Sequence, residues 1–544
     1  MLKFFKNKLR HLSYRFIKKR ALYVMRGYKI LQQDERIHQI ESLKDTLSKT
    51  ELFGNSFNQK IFKDIHDFSY ELSVRQFILH HFVHRVSISN PYIGLTKAIL
   101  TSIGCNKLLL YPITRQWQNI IENNNFSIRR FGSSFLWVLA VLFFYAYGVF
   151  FLLRILWELI FKKKLIKSNE FSRVVFIKDL SLKDYLSYEN NSTNIITKAL
   201  KEDTKHTMIL HDNKELLKYA SNSKQFQYSL FPFILRPDVI LLICFFLRSI
   251  LLIFKSLVRL ILGKWQDSLL LKELIFADFV SIIPKISLPE LLLFDHSKFV
   301  YRPIWTYIAE EKGVKPILYF YSTNNESIIL NKSIRRSNLK WSIMSWTNYW
   351  VWNSEQFNFV KRVTSFTSNI TIKGPILTGN NLLKEKINLP LKSVTVFDVQ
   401  PQRDFKYQLL CEPYEYYIPS ITNQFLDDIL KVVKTKKGKM VYKGKRNIGN
   451  MAHYKYRMKM LEFLKVSEII IIENDLSAAI LSDASNCVIS FPFTSAALIA
   501  KLLGKPSVYY DPTGKIDKLD PAAYGISIIS GPLELKQWLT KQLD

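Results

Sequence analysis

The sequence predicts an α/β protein with two successive modules of alternating strands and helices on parallel sheets, preceded by a helical, membrane-associated N-terminal region. Three observations predict it. From about Lys272 onward, short apolar runs alternate with helical stretches across short connections, the pattern of β-α units. A polar stretch from Asn380 to Leu391 divides that series in two. Upstream, Phe135 to Leu153 forms a run of 19 uncharged, overwhelmingly apolar residues.

The chain has 544 residues, room for two to four units at about 150 residues each. Its net charge is 77 − 45 = +32, which points to an anionic partner. The first 33 residues hold ten Lys/Arg and no Asp or Glu, interleaved with Leu, Phe, Tyr and Ile. They read as a basic amphipathic arm for an anionic leaflet, with a solvated helix end or an RNA-binding arm as alternatives. No small-residue cleavage site follows an uninterrupted apolar core, so this is a poor signal peptide. Residues 34–130 continue with helical periodicity and no chemical motif, which makes 1–130 one basic, mainly helical region.

Residues 131–166 follow as a membrane-embedded or re-entrant segment. The 135–153 run, at 1.5 Å per residue, nearly crosses a hydrocarbon core of about 30 Å. A second run, 239–262, is interrupted by Arg248, Lys255 and Arg259, spaced to share one helix face. It reads as an interfacial helix with its basic stripe toward phosphate headgroups. Positive charge flanks both ends of 135–153, so the charge rule selects no orientation, and a re-entrant or hairpin arrangement is preferred to a single crossing.

The first α/β module is expected over 167–391, interrupted by 239–262. Its opening strands are VVFI at 174–177 and MIL at 208–210. Leu291 to Phe294 is a strand ending at Asp295-His296; Tyr301 to Glu311 is a helix stopped by Gly313; Lys315 to Tyr321 is the next strand. Tyr349 to Trp352 is a strand, Ser354 to Val363 a helix and Ile370 to Lys373 a strand. The second module is expected over 392–525, followed by a C-terminal helix at 526–544. Its strands are Val394 to Val399, Lys439 to Tyr442, Ile469 to Ile472, Cys487 to Ser490 and Ser507 to Tyr510. Helices are expected at Ile421 to Val433, Tyr454 to Leu464, Leu476 to Leu481, and from Ser495 to a stop at Gly504.

In parallel α/β sheets, ligands bind at the carboxyl ends of the strands. That rule collects Gln400, Arg403, Lys443, Lys445, Arg446, Asn474, Ser490, Thr494 and Ser495 on one edge of the second module. The Lys443-Gly444-Lys445-Arg446 turn can neutralise a diphosphate or serve as a solvated turn. Thr494-Ser495 precedes an Ala-Ala-Leu-Ile-Ala helix whose free N–H groups can hold an anion, and either residue can serve as its N-cap. On the first module, Asp295, with His296 and Glu310 behind it, is the candidate general base, and a simple turn role competes for Asp295. Trp341, Trp346, Trp350 and Trp352 can stack on a sugar or fill the core. Four dispersed cysteines without a CxxC pair fit a reducing compartment and suggest neither a zinc site nor a disulfide framework. The sequence holds no GxxxxGK[ST], no GxGxxG after a strand and no HExxH, which disfavours a kinase-like or dinucleotide enzyme.

The segment VISFPFTSAALIAKLLGKPSVYYDPTG, with Pro492-Phe493-Thr494-Ser495 at its centre, resembles the bacterial surface-polysaccharide biosynthesis proteins named for a PFTS motif. RPIWTYIAEEKG at 302–313, YFYSTN at 319–324, WVW at 350–352, GPI at 374–376 and VFDVQPQR at 396–403 look like the same family, so the likeness spans roughly 270–520. The resemblance implies a GT-B-like pair of Rossmann-type modules, similar to sialic-acid and Kdo transferases. Lys443 stands where several relatives place a basic residue before His-Pro, a dipeptide absent here. It further implies a metal-independent glycosyltransferase without a cofactor, taking a nucleotide sugar, with a CMP-sugar favoured. The partners implied are a lipid-linked or polysaccharide acceptor and anionic lipids, at the cytoplasmic face of the bacterial inner membrane. The rivals are a nucleotide-sugar epimerase or hydrolase, and a non-catalytic polysaccharide-assembly protein. The uncharged 135–153 run argues against nucleic acid as the partner.

Overall fold

The computed structural model describes residues 22–34, 92–104, 112, 115–123, 127–161, 171, 173–188, 194–200, 207–220, 223, 225–234, 238–323, 325–326, 341, 344–364, 368–376, 387–403, 416–444, 452–474 and 476–544. Residues 1–21 of the basic arm lie outside them. The chain divides into two compact units, one drawing on 1–161, 244–278 and 403–414, the other on 162–243, 279–402 and 415–544.

In the first unit, the apolar run is the middle of one unbroken helix, Arg130–Phe161, of 32 residues. At 1.5 Å per residue it is about 48 Å long, more than a hydrocarbon core requires. Residues 131–161 of the expected membrane segment therefore lie on one continuous helix. Helix Val239–Ile261 is the second helix long and apolar enough to cross a membrane. Phe131, Phe135, Phe143, Phe150 and Trp157 on one, and Ile243, Leu247, Leu251 and Phe254 on the other, are exposed. The Tyr145 hydroxyl donates to the Ile253 carbonyl (3.3 Å). Gly148 admits helix Gln266–Ile282 closely: a Cβ there would lie 2.7 Å from Leu271 Cγ. The basic stripe differs from expectation. Arg248 pairs with Asp278, and Arg259 Nε lies 2.8 Å from Asp267 Oδ2. Carboxylates of helix Gln266–Ile282 thus neutralise two of the three cations expected to meet lipid phosphate.

The second unit contains two parallel sheets. The first comprises β1 (Arg173–Ile177), β2 (Thr207–His211), β3 (Phe226–Tyr228), β4 (Leu291–Asp295), β5 (Lys315–Tyr319), β6 (Asn348–Val351) and β7 (Asn369–Ile372), in the order β3-β2-β1-β4-β5-β6-β7. The second comprises β8 (Ser393–Phe397), β9 (Lys439–Lys443), β10 (Ile469–Ile472), β11 (Cys487–Ser490), β12 (Ser507–Asp511) and β13 (Ile528–Ser530), in the order β10-β9-β8-β11-β12-β13. Every pairing is parallel. The second order is that of a doubly wound Rossmann sheet, 3-2-1-4-5-6, so both modules are Rossmann-like. The segment expected as a C-terminal helix alone begins with β13 and only then becomes helix Gly531–Leu543.

Apolar strands make the core. β2 and β8 are buried at every residue, as sheets covered on both faces require. Helix Ser354–Val363 starts where Asn353 accepts from the Gln356 N–H (3.0 Å). Gly504, at φ +74°, follows helix Ser495–Leu502, as the sequence predicts. Helix Trp305–Glu311 starts four residues later than expected, since Pro303 disfavours helical backbone at Arg302. The short helix expected at Leu476 to Leu481 is Ala478–Ala484, with Ser477 as its N-cap.

Candidate functional site

A doubly wound sheet opens a crevice where strand order reverses, at the carboxyl ends of the two strands flanking that reversal. In the second sheet those strands are β8 and β11, paired with Phe397 opposite Ser490. Three buried polar atoms gather on residues at these strand ends without a hydrogen-bond partner: Asp398 Oδ1, Ser490 Oγ and Thr494 Oγ1. Buried polar atoms in folded proteins are almost always paired, so three of them together at this reversal make it a candidate binding site. Asp511, the last residue of β12, is the contrast. It accepts from Tyr416 Oη (2.9 Å), Thr513 N (2.8 Å), Thr513 Oγ1 (2.7 Å) and Ile516 N (2.9 Å), and simply closes its turn.

Asp398 is only 2% exposed. Its Oδ2 accepts from Tyr442 (3.0 Å) and Tyr456, whose hydroxyls lie 2.8 Å apart. Burial pushes its carboxyl up to about 6, while the two hydroxyls and Lys443 pull the other way. Lys443, the last residue of β9, is itself buried. Thr494 holds the N-cap position of helix Ser495–Leu502 with extended backbone, yet its side chain makes no cap bond. The Ser495 hydroxyl accepts from the Thr323 N–H (3.3 Å) and meets Thr323 Oγ1 (3.2 Å), linking the loop after β5 to the PFTS helix.

The structure brings Lys443, Ser490, Thr494 and Ser495 to the carboxyl edge of the second sheet. Gln400 is half-buried in the chain leaving β8, and Asn474 follows β10 at the sheet's margin. Arg403 belongs to the other unit, where its guanidinium donates to Met25 Sδ (3.3 Å). Lys445 and Arg446 lie outside the described residues. On the first sheet, Asp295 ends β4 beside that sheet's own reversal between β1 and β4. It accepts from Ser297 N (2.9 Å) and Ser297 Oγ (2.7 Å), so it closes an Asx turn whatever else it does. His296 is buried with its ring 4.6 Å from Phe320 and 4.8 Å from Tyr321, and Asp295 Oδ1 lies 3.5 Å from its Nδ1.

Glu310 stands apart from Asp295 and His296 in its surroundings. It lies near the end of a helix that returns the chain to the start of β5, hence toward the amino edge of the sheet. There it pairs with the buried Arg302 guanidinium and accepts from Thr347, just before β6. Arg302 also donates to Thr306 Oγ1 (3.1 Å) and stacks over the Tyr307 ring (3.8 Å). The four tryptophans are core: all are buried, with Trp346 Nε1 donating to Phe299 O (3.0 Å) and Trp352 Nε1 to Phe320 O (2.7 Å). Sequence reasoning did not single out Asp398 or Thr323. The available signals were an acid near the end of an apolar strand in VFDVQPQR and a hydroxyl in the short loop after one in YFYSTN. Among the described residues, no group of three or more His, Cys, Asp or Glu is placed to hold a metal ion.

These features define a class: a protein of two Rossmann-like modules with a polar, cation-flanked crevice at a strand-order reversal. The chain belongs to the polysaccharide biosynthesis PFTS motif protein family, whose model matches residues 248–539, more than half of its length. No curated protein matches the sequence. Solved structures similar to it include the UDP-GlcNAc 2-epimerase of Methanocaldococcus jannaschii, at 8% identity and TM-score 0.37, covering 68% of this chain and 93% of that one. A glycosyltransferase of Rickettsia africae shows 11% identity and TM-score 0.36, with 69% and 88% covered. One of Streptomyces nogalater shows 9% and 0.31, with 69% and 96% covered.

Proposed function

We propose that the protein is a membrane-associated glycosyltransferase that moves a sugar from a nucleotide-sugar donor to a surface polysaccharide or lipid-linked glycan. The observation that carries this reading is the set of unpartnered buried polar atoms at the β8–β11 reversal of a chain in this family. The donor phosphate lies against the first-turn N–H groups of helix Ser495–Leu502, with Thr494 and Ser490 beside it. Lys443, with Lys445 and Arg446 following in sequence, stabilises charge on the departing phosphate. Gln400 and Asn474 line the same edge. Transfer breaks the bond between the sugar's anomeric carbon and the phosphate oxygen, and forms one to the acceptor hydroxyl. That hydroxyl's proton passes to Asp295, with His296 adjacent. Positioning and charge suffice for this chemistry, which proceeds without a metal. The described strand-end residues carry no feature that selects a cytidine over a uridine base.

The two apolar helices support residence at a membrane, with anionic lipid around the basic N-terminal arm and the sheets on the cytoplasmic face of the inner membrane. A panel of CMP-, UDP-, GDP- and dTDP-sugars tests the reading, first by thermal shift and then by transfer to lipid-linked acceptors. At least one donor should raise the melting temperature by mass action. Lys443→Ala should weaken that binding, while Asp295→Ala should spare it and lower turnover by about 10²–10⁴-fold. A panel that leaves the melting temperature unmoved refutes the donor site. Turnover of free nucleotide sugar without acceptor identifies an epimerase or hydrolase instead.

A further inference from the structure

The loop leaving β5 holds a second set of buried hydrogen-bonding groups without partners, and it stands beside the PFTS helix. The loop is pinned at its start: Phe320 N–H donates to Trp350 O (3.0 Å), Trp352 Nε1 to Phe320 O (2.7 Å) and Gln356 Nε2 to Ser322 O (2.9 Å). Thr323 then bonds Ser495 Oγ through both its N–H and its hydroxyl. A tight turn, Asn325 N–H to Thr323 O at 2.8 Å, places Asn325 next to that junction. Its side chain is 6% exposed, and neither Oδ1 nor Nδ2 has a partner; the same holds for Thr494 Oγ1 across the junction.

An amide buried in this way is costly unless something fills its valences. The chemistry of the amide restricts what that can be. Nδ2 donates and Oδ1 accepts, so the natural mate is a group able to do both. A phosphate only accepts, and would leave Oδ1 facing negative charge. Sugar hydroxyls donate and accept, and a vicinal pair matches the spacing of an amide edge. We propose that Asn325 recognises hydroxyls of the transferred sugar in a nucleotide-sugar donor whose phosphate sits at the start of helix Ser495–Leu502. This rests on the donor site proposed above and adds to it a specificity residue contributed by the first module.

Calorimetric titration of the full-length, detergent-purified protein with matched pairs tests it: UDP against UDP-GlcNAc, and CMP against CMP-N-acetylneuraminate. In wild type, one nucleotide sugar should bind more tightly than its parent nucleotide. Asn325→Leu, similar in size but without the amide, should leave nucleotide affinity within about twofold and weaken the nucleotide sugar about tenfold. It should also raise the melting temperature of the ligand-free protein, since an unpartnered amide is removed. Asn325→Ala, which needs no extra room, should give the same change in the nucleotide-sugar to nucleotide ratio. Nucleotide binding with that ratio unchanged in both variants overturns the role of Asn325 and leaves the donor site standing. A wild type that binds neither member of either pair overturns the donor site and this inference together.

Discussion

Replacing Asp398 with asparagine removes a charge from the interior while keeping the side chain's shape and its ability to accept from Tyr442 and Tyr456. Burial raises the carboxyl from 3.8 to about 6, so between those values the folded protein binds a proton that the unfolded chain has released. The sign follows from linkage. The contribution is fully present below the unfolded value and is lost as pH rises through about 6, because the folded state must then hold a buried anion. At about 1.4 kcal/mol per unit, the full change is about 3 kcal/mol, of which about 2 kcal/mol falls between pH of about 4.5 and 7.5. Asparagine has no such titration. Wild type should therefore lose about 2 kcal/mol relative to Asp398→Asn over that interval. Thermal unfolding of detergent-solubilised protein at several pH values, followed by tryptophan fluorescence, measures the gap. A gap that stays constant with pH means that the Asp398 carboxylate is not desolvated, and the crevice argument built on its unpartnered oxygen fails with it.

Thr494→Ala should change stability by only a few tenths of a kcal/mol, below the usual 0.5–2 kcal/mol for an N-cap, because its hydroxyl makes no cap bond; thermal melts decide this. Ser495→Asp should retain the fold yet abolish nucleotide binding in a calorimeter, since its carboxylate would repel phosphate, and unchanged affinity would place the donor elsewhere. Glu310→Gln should destabilise by about 2 kcal/mol, as buried Arg302 loses its counter-charge to a half-exposed partner, with turnover per folded molecule unchanged. A turnover loss above about tenfold at unaltered melting temperature would assign the base role to Glu310. Washing membranes with about 1 M salt should leave the protein in the pellet, because apolar burial is not screened as charge attraction is. Complete release of native protein would refute the apolar anchor.

The strands and most helices were legible because their causes are local. Ile469–Ile472 and Cys487–Ser490 are apolar runs of strand length between polar turns, and Ser354–Val363 has its cap and its apolar spacing in neighbouring residues. The long apolar helix was legible for the same reason, being a run of side chains that water disfavours. The PFTS segment marked the second-module edge, since a strand, a turn and hydroxyls before an alanine-rich helix lie within a dozen residues. What each chemical group does was decided by residues far away in sequence. Arg302 and Glu310 form a buried clamp through Thr347, 45 and 37 positions on. Arg248 and Arg259 meet carboxylates of the following helix. Asp398 is desolvated beneath Tyr442 and Tyr456, 44 and 58 positions on, and Thr323 reaches Ser495 across 172. Secondary structure follows from side-chain spacing and backbone sterics within a few residues. Whether a carboxylate is a turn, an ion pair or an unpartnered acceptor depends on which distant groups replace its water, and that is decided only when the chain packs.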